Sequence, residues 1–199
     1  METIQGYPLP KIILQSYDMF EHITSLQSLT FMKKLEIATK IFSRYLTYAK
    51  DAPLFPDTVK ILKKLKKTFD IFIVSHNQTK NIMEQLEKHK IKSLFKGVYG
   101  TDLLPALKPD PESLSSVFKN YKSSKVRDFI MVGDMPSDIE AGNEAGVGTV
   151  AVMTGVSNRE ILLNYEPNLI VDNLNQLLDI IEKRTMEDSN SQESMEVNS

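Results

Sequence analysis

FIMVGDMPSDIEAGNEAGV, residues 129–147, is the stretch whose reading decides the fold. Phe129–Val132 is a short apolar run of the kind that forms a parallel strand covered on both faces. Gly133 permits a tight exit from that strand and Asp134 stands at its tip. Asp138 falls in the first turn of a helix predicted over Ser137–Glu144, beside the positive end of its dipole. Two carboxylates so placed suit a hard cation such as magnesium. The competing reading makes both of them caps of the helix start.

The same texture extends to either side. Ile71–Val74, Val98–Tyr99, Thr149–Met153 and Leu169–Val171 read as further strands. Helical patterns over Thr58–Lys67, Thr79–Lys88, Glu112–Tyr121 and Leu174–Lys183 alternate with them, with start signals at Asp57, Asn173 and Pro111. Right-handed crossovers turn such β/α units into a doubly wound parallel sheet, so residues 53–184 form an α/β core. Residues 20–52 carry Phe31, Leu35, Ala38 and Phe42 on one face and form a helical segment. Residues 185–199 hold four acidic residues and no basic one, and are expected to be disordered.

Composition removes several function classes. The 24 Lys+Arg against 26 Asp+Glu leave a net charge of -2, which argues against a dedicated nucleic-acid binder. The lysines of KILKKLKK, residues 60–67, alternate with Ile61, Leu62 and Leu65 and read as the solvated face of a helix. With no cysteine, disulfides, thiolate zinc sites and cysteine nucleophiles are excluded. No apolar run approaches the roughly 20 residues that span a bilayer, and residues 1–11 lack a signal core, so the expectation is a cytoplasmic protein without membrane partners.

In an open parallel sheet the ligand lies beyond the carboxyl ends of the strands. Three of those ends are polar here. Ser75, followed by His76 and Asn77, stands where a hydroxyl and the N–H groups of a helix start could hold a phosphoryl oxygen. A plain cap is the alternative for Ser75, and an ordinary loop histidine for His76. Lys108 lies in LKPDPESL, where a held lysine can neutralise phosphate oxygens and where a surface lysine before a turn is the alternative. Asp134 and Asp138 complete the set.

Taken in this order and at these intervals, Ser75, Lys108 in KPDPES and GDMPSDIEAGNEAGV resemble motifs two, three and four of the haloacid dehalogenase (HAD) superfamily, most closely its phosphoglycolate phosphatase-like branch. The resemblance covers residues 53–182. It implies a Rossmann-type core with a short N-terminal helical cap, and a magnesium-dependent phosphatase acting on a small phosphorylated metabolite through an aspartyl-phosphate. Carried over, Ser75, His76 and Asn77 would bind the phosphoryl group with Lys108, and Asp134 and Asp138 would serve the metal, Asp138 by supporting the metal shell or orienting Lys108.

The family's first motif, an apolar strand ending in Asp-x-Asp-Gly-(Thr/Val), has its nearest counterpart in KIILQSYDMFEH, residues 11–22. There Ser16 stands in the nucleophile's position, Asp18 survives as the second acid, and Met19-Phe20 replace the Gly-Thr pair. Two readings stay open. Residues 1–19 hold a degenerate first strand and motif, with the cap confined to 20–52, or the true first strand is missing and residues 1–50 are all cap. The first leaves no gap in the middle of the sheet. Three functions follow: a phosphatase, a noncatalytic phosphate-binding or interaction module, or a phosphomutase. Removal of residues 185–199 is expected to leave the melting temperature within about a degree or two of the full chain in a thermal scan.

Overall fold

The structure, a computed structural model, describes residues 53–184 apart from 120, 122, 123 and 156, together with residues 3, 4, 7, 8, 30, 32–34, 36, 37 and 40. The chain divides into two compact units, Met1–Leu54 and Phe55–Ser199. The first-motif stretch, residues 11–22 with Ser16 and Asp18, and the acidic tail all lie outside the described residues.

In the first unit β1 (Thr3–Ile4) pairs antiparallel with β2 (Tyr7–Pro8). Described residues between 32 and 40 are helical, within the expected helical segment, and Glu36 accepts from Lys33 at 2.9 Å and Lys40 at 2.7 Å. Hydrogen bonds from Lys40 and Lys33 lower the Glu36 pKa to about 2.

The second unit is α/β and its strands are parallel. Ladder one joins β3 (Phe72–Val74) to β4 (Gly97–Tyr99), and ladder two runs β5 (Ile130–Gly133), β6 (Gly148–Val152), β7 (Leu169–Val171). The helices are α1 (Thr58–Leu65), α2 (Thr79–Lys88), α3 (Ser115–Phe118), α4 (Pro136–Glu144), α5 (Arg159–Leu163) and α6, residues 174–184. Among the described residues no ladder joins β3 to β5. No described helix is long and apolar enough to cross a membrane.

Apolar burial follows the β/α alternation. Ile139 on α4 packs with Ala151 on β6 and Leu162 on α5, while Val150, Val152, Val171 and Leu177 form a neighbouring cluster. Thr149, fully buried in β6, satisfies its hydroxyl with Asn143 Oδ1 at 2.9 Å and with the Asn168 N–H at 3.1 Å. α1 buries Ile61 and turns Lys60, Lys63 and Lys64 to solvent, the solvated face its sequence predicts.

Four expectations need correction. β5 is not covered on both faces: Ile130 and Val132 are 54% and 39% exposed, because α4 packs against the opposite face through Met131, whose Cβ lies 3.1 Å from the Cβ site of Gly142. Asp57 does not cap α1 with its side chain; its backbone is left-handed (φ 60°) and its carbonyl accepts from Ile61 at 2.9 Å. Glu112–Tyr121 is not one helix but a 3-10 turn, Pro111–Leu114, followed by the single turn of α3. The run stops because Tyr121 turns inward, edge-on to Phe72 at 5.9 Å and to Phe129 at 5.5 Å, with its hydroxyl donating to Asp70 at 2.5 Å. α5 has no counterpart in the expected elements, although Asn158 announces it by accepting from the Ile161 N–H at 2.8 Å. At α6, by contrast, Asn173 caps as expected, accepting from Gln176 at 3.1 Å.

Candidate functional site

Lys108 sits between the two ladders at their carboxyl ends. Its chain approaches from the loop after β4, where Asp110 accepts from the Glu112 N–H at 2.9 Å and the Lys108–Pro109 peptide is cis. The ammonium donates to the carbonyl of Val74, the last residue of β3, at 3.1 Å, and to Asp138 Oδ1 at 2.5 Å. Both side chains are buried, 9% and 7% exposed. The other carboxylate oxygen of Asp138 accepts from the N–H groups of Asp134 and Met135, each at 3.1 Å. Asp138 therefore pins the β5–α4 turn with one oxygen and holds the lysine with the other.

Ser75 extends β3 by one residue, donating its N–H to Tyr99 at 3.0 Å, while its Oγ accepts from the Asn77 N–H at 3.1 Å. α2 begins four residues later, so Ser75 does not cap it. Asn77 is committed to its own loop: its Oδ1 takes Gln78 N–H at 2.8 Å and Asn81 Nδ2 at 3.0 Å. Thr79 N–H donates to Asp102 at 2.7 Å. The N–H groups of residues 77, 78 and 79 thus have partners, so the expectation of free donors at this helix start is corrected for these three. Partial burial and the nearby Lys108 charge push the His76 imidazole below 6.5, against the opposing pull of Asp138.

Asp134 is half-buried against Gly155, in the loop after β6. A Cβ at Gly155 would lie 1.9 Å from Asp134 Oδ2, and one at Gly133 2.2 Å from Asp138 Oδ2. Both positions exclude any side chain. Gly155 acts on a partner distant in the chain, and its one local signal is a glycine three residues past the end of β6.

The site thus gathers Ser75, His76, Lys108, Asp134 and Asp138 at one edge of the second unit, and Asp18 lies outside the described residues. Among the described residues no cluster of three or more histidine, cysteine or acidic side chains is present. Magnesium does not require one, since it is held by one or two carboxylates plus waters and phosphate oxygens, and the Asp134 carboxylate fits that chemistry, with Asp138 beside it committed to Lys108 and the turn.

The buried pair and the histidine each yield a test. Asp138→Ala strands the Lys108 ammonium and two N–H groups and is expected to cost about 3–5 kcal/mol in denaturant unfolding, whereas Lys108→Met costs less because Asp138 keeps its N–H donors. Because folding disfavours the His76 imidazolium, the unfolded chain binds more protons just below pH 6.5, so this histidine's contribution to stability is present above 6.5 and falls as pH is lowered. An NMR titration should place its midpoint below 6.5, and His76→Gln should flatten that part of the stability profile.

Comparison with known proteins finds relatives over most of the chain. The sequence profile of the haloacid dehalogenase-like hydrolases matches residues 8–152. The phosphoglycolate phosphatase of Vibrio cholerae is 29% identical over 163 residues, covering 78% of this chain and 72% of that protein. The corresponding Vibrio vulnificus phosphatase is 30% identical over 129 residues, covering 64% of this chain but 56% of its own length. A haloacid dehalogenase-like family hydrolase from Streptococcus pneumoniae superposes with a TM-score of 0.65 at 22% identity, covering 88% of this chain and 77% of that one. With the profile spanning more than half of its length and the buried lysine and paired aspartates at one sheet edge, the chain belongs to the haloacid dehalogenase-like hydrolase family.

Proposed function

We propose that this chain carries a magnesium-dependent phosphomonoester site for a small phosphorylated metabolite of the phosphoglycolate kind. The observation that carries the reading is the Lys108 ammonium, held 3.1 Å from the Val74 carbonyl and 2.5 Å from Asp138, one residue from the Ser75 hydroxyl. A cation fixed there neutralises phosphoryl oxygens without reorganising, and the Ser75 O–H donates to one of them. A neutral His76 and the backbone at 75–77 bound the same space and orient the ligand. Asp134 holds the metal, with Asp138 supporting that shell and fixing Lys108. Magnesium, when bound, neutralises negative charge on the phosphoryl group. A cytoplasmic setting without nucleic-acid or membrane partners fits such a substrate.

Turnover needs a nucleophile, and Asp18 is the acid that the first-motif stretch retains. Ser16 is a poor substitute, since its hydroxyl needs a base and a phosphoserine lacks the readily hydrolysed acyl-phosphate bond. That substitution favours a second reading, a noncatalytic module that binds a phosphorylated ligand. The two separate in an assay of magnesium-dependent phosphate release from 2-phosphoglycolate and p-nitrophenyl phosphate. The unmodified chain should show little or no turnover, and Ser16→Asp with Met19→Gly and Phe20→Thr should create measurable hydrolysis. Brisk turnover abolished by Ser16→Ala would make serine the nucleophile. Turnover that survives Ser16→Ala but is lost in Asp18→Asn would assign attack to Asp18. Failure of the chain and all these variants to bind orthophosphate would overturn the phosphate-site reading itself.

A further inference from the structure

The loops that follow β3 and β4 are bonded to one another. Thr79 N–H donates to Asp102 Oδ1 at 2.7 Å, Gly100 N–H to Thr79 Oγ1 at 2.9 Å, and Thr101 N–H to the Asn77 carbonyl at 3.0 Å. The approach is close enough to exclude a side chain, since a Cβ on Gly100 would lie 2.2 Å from Thr79 N and 2.5 Å from the Asn77 oxygen. Inside the first loop, Asn77 N–H is taken by Ser75 Oγ and Gln78 N–H by Asn77 Oδ1. An exposed carboxylate near a phosphate site would ordinarily repel the ligand. Here its negative charge is directed onto the first N–H of α2, which holds the Asp102 carboxyl below the usual carboxylate range. The first of the donors that the start of α2 would offer an anion, the Thr79 N–H, is therefore already taken by a residue of the protein.

We propose that Asp102 is a positioning residue: by taking the Thr79 N–H it anchors the first residue of α2 and, with Thr79 and Gly100, fixes the Ser75–Gln78 loop so that a phosphoryl group meets the Ser75 hydroxyl and Lys108. The inference rests on the reading of Ser75 and Lys108 as phosphoryl-binding groups. None of the lock's hydrogen bonds requires its members to touch the ligand, so the effect is transmitted through loop geometry. Asparagine at 102 keeps an acceptor for Thr79 N–H, and serine at 79 keeps a hydroxyl for Gly100 N–H.

Calorimetric titration with inorganic phosphate in magnesium buffer tests it, together with melting temperatures. Asp102→Ala and Thr79→Val are each expected to weaken phosphate binding about tenfold, and Asp102→Asn and Thr79→Ser to remain within about threefold of the unmodified chain. Amide exchange at Asn77 and Gln78 should quicken in the two damaging variants only. If Asp102→Ala fails to fold, Thr79→Val decides. A lowered melting temperature with unchanged phosphate affinity in both variants, or tighter binding in Asp102→Ala, overturns the inference while leaving the proposed function standing. Absence of phosphate binding by the unmodified chain overturns the proposed function, and the positioning role with it.

Discussion

A buried ammonium has to find acceptors, and the way Lys108 finds them organises the second unit. The residue belongs to the loop after β4, its acceptors to the last residue of β3 and the first turn of α4. One side chain thereby ties ladder one to ladder two at their carboxyl ends. Tyr121 does the same at the amino ends, lying edge-on to Phe72 before β3 closes and to Phe129 ahead of β5. Lys96 covers the Tyr121 ring at 5.0 Å and pairs with Asp70 at 2.6 Å, so the amino-end contact is polar at its rim and aromatic within. Of the two ties, the charged one is the costlier to break from the Asp138 side, because Lys108 would then keep the neutral Val74 carbonyl but no counter-charge in the interior.

The same constraint explains the crowding around it. An ionised carboxylate offers about four acceptor sites, and Asp138 uses three of them on Lys108, Asp134 N–H and Met135 N–H. Its position is thus fixed by the turn it stabilises, and it in turn fixes the lysine. Asp134, facing away at the strand tip, packs where Gly155 leaves room. The two acids, four residues apart, therefore have different surroundings: Asp138 is walled in by donors, while Asp134 packs against Gly155.

Much of this was legible in the sequence. The five core strands fall within one or two residues of their expected places, because continuous β-branched runs bounded by glycine and proline have few other uses in a chain of this length. Ser75, Lys108, Asp134 and Asp138 could be picked out because parallel sheets place chemistry at carboxyl ends. What escaped was set by tertiary contact. The end of α3 depends on where Tyr121 packs, and the exposed face of β5 depends on which side α4 covers, neither of which is written in local pattern. Asp102 and Gly155 escaped for the same reason, since each acts on a residue more than twenty positions away: Asp102 on Thr79, Gly155 on Asp134. Asp57 misled because a helix-starting aspartate normally caps with its side chain, whereas here the backbone turns left-handed first.

On the proposed function, Lys108 makes one phosphate-binding centre out of groups from both ladders. The most direct measurement is nitrogen-15 chemical-shift mapping of the chain titrated with orthophosphate in the presence of magnesium, with the Lys108 Nζ resonance followed alongside the backbone. The account predicts saturable shifts confined to Ser75, His76, Lys108 and the Gly133–Met135 turn, moving together with one binding constant. Shifts centred on the exposed lysines of α1, or none at Lys108, would contradict it.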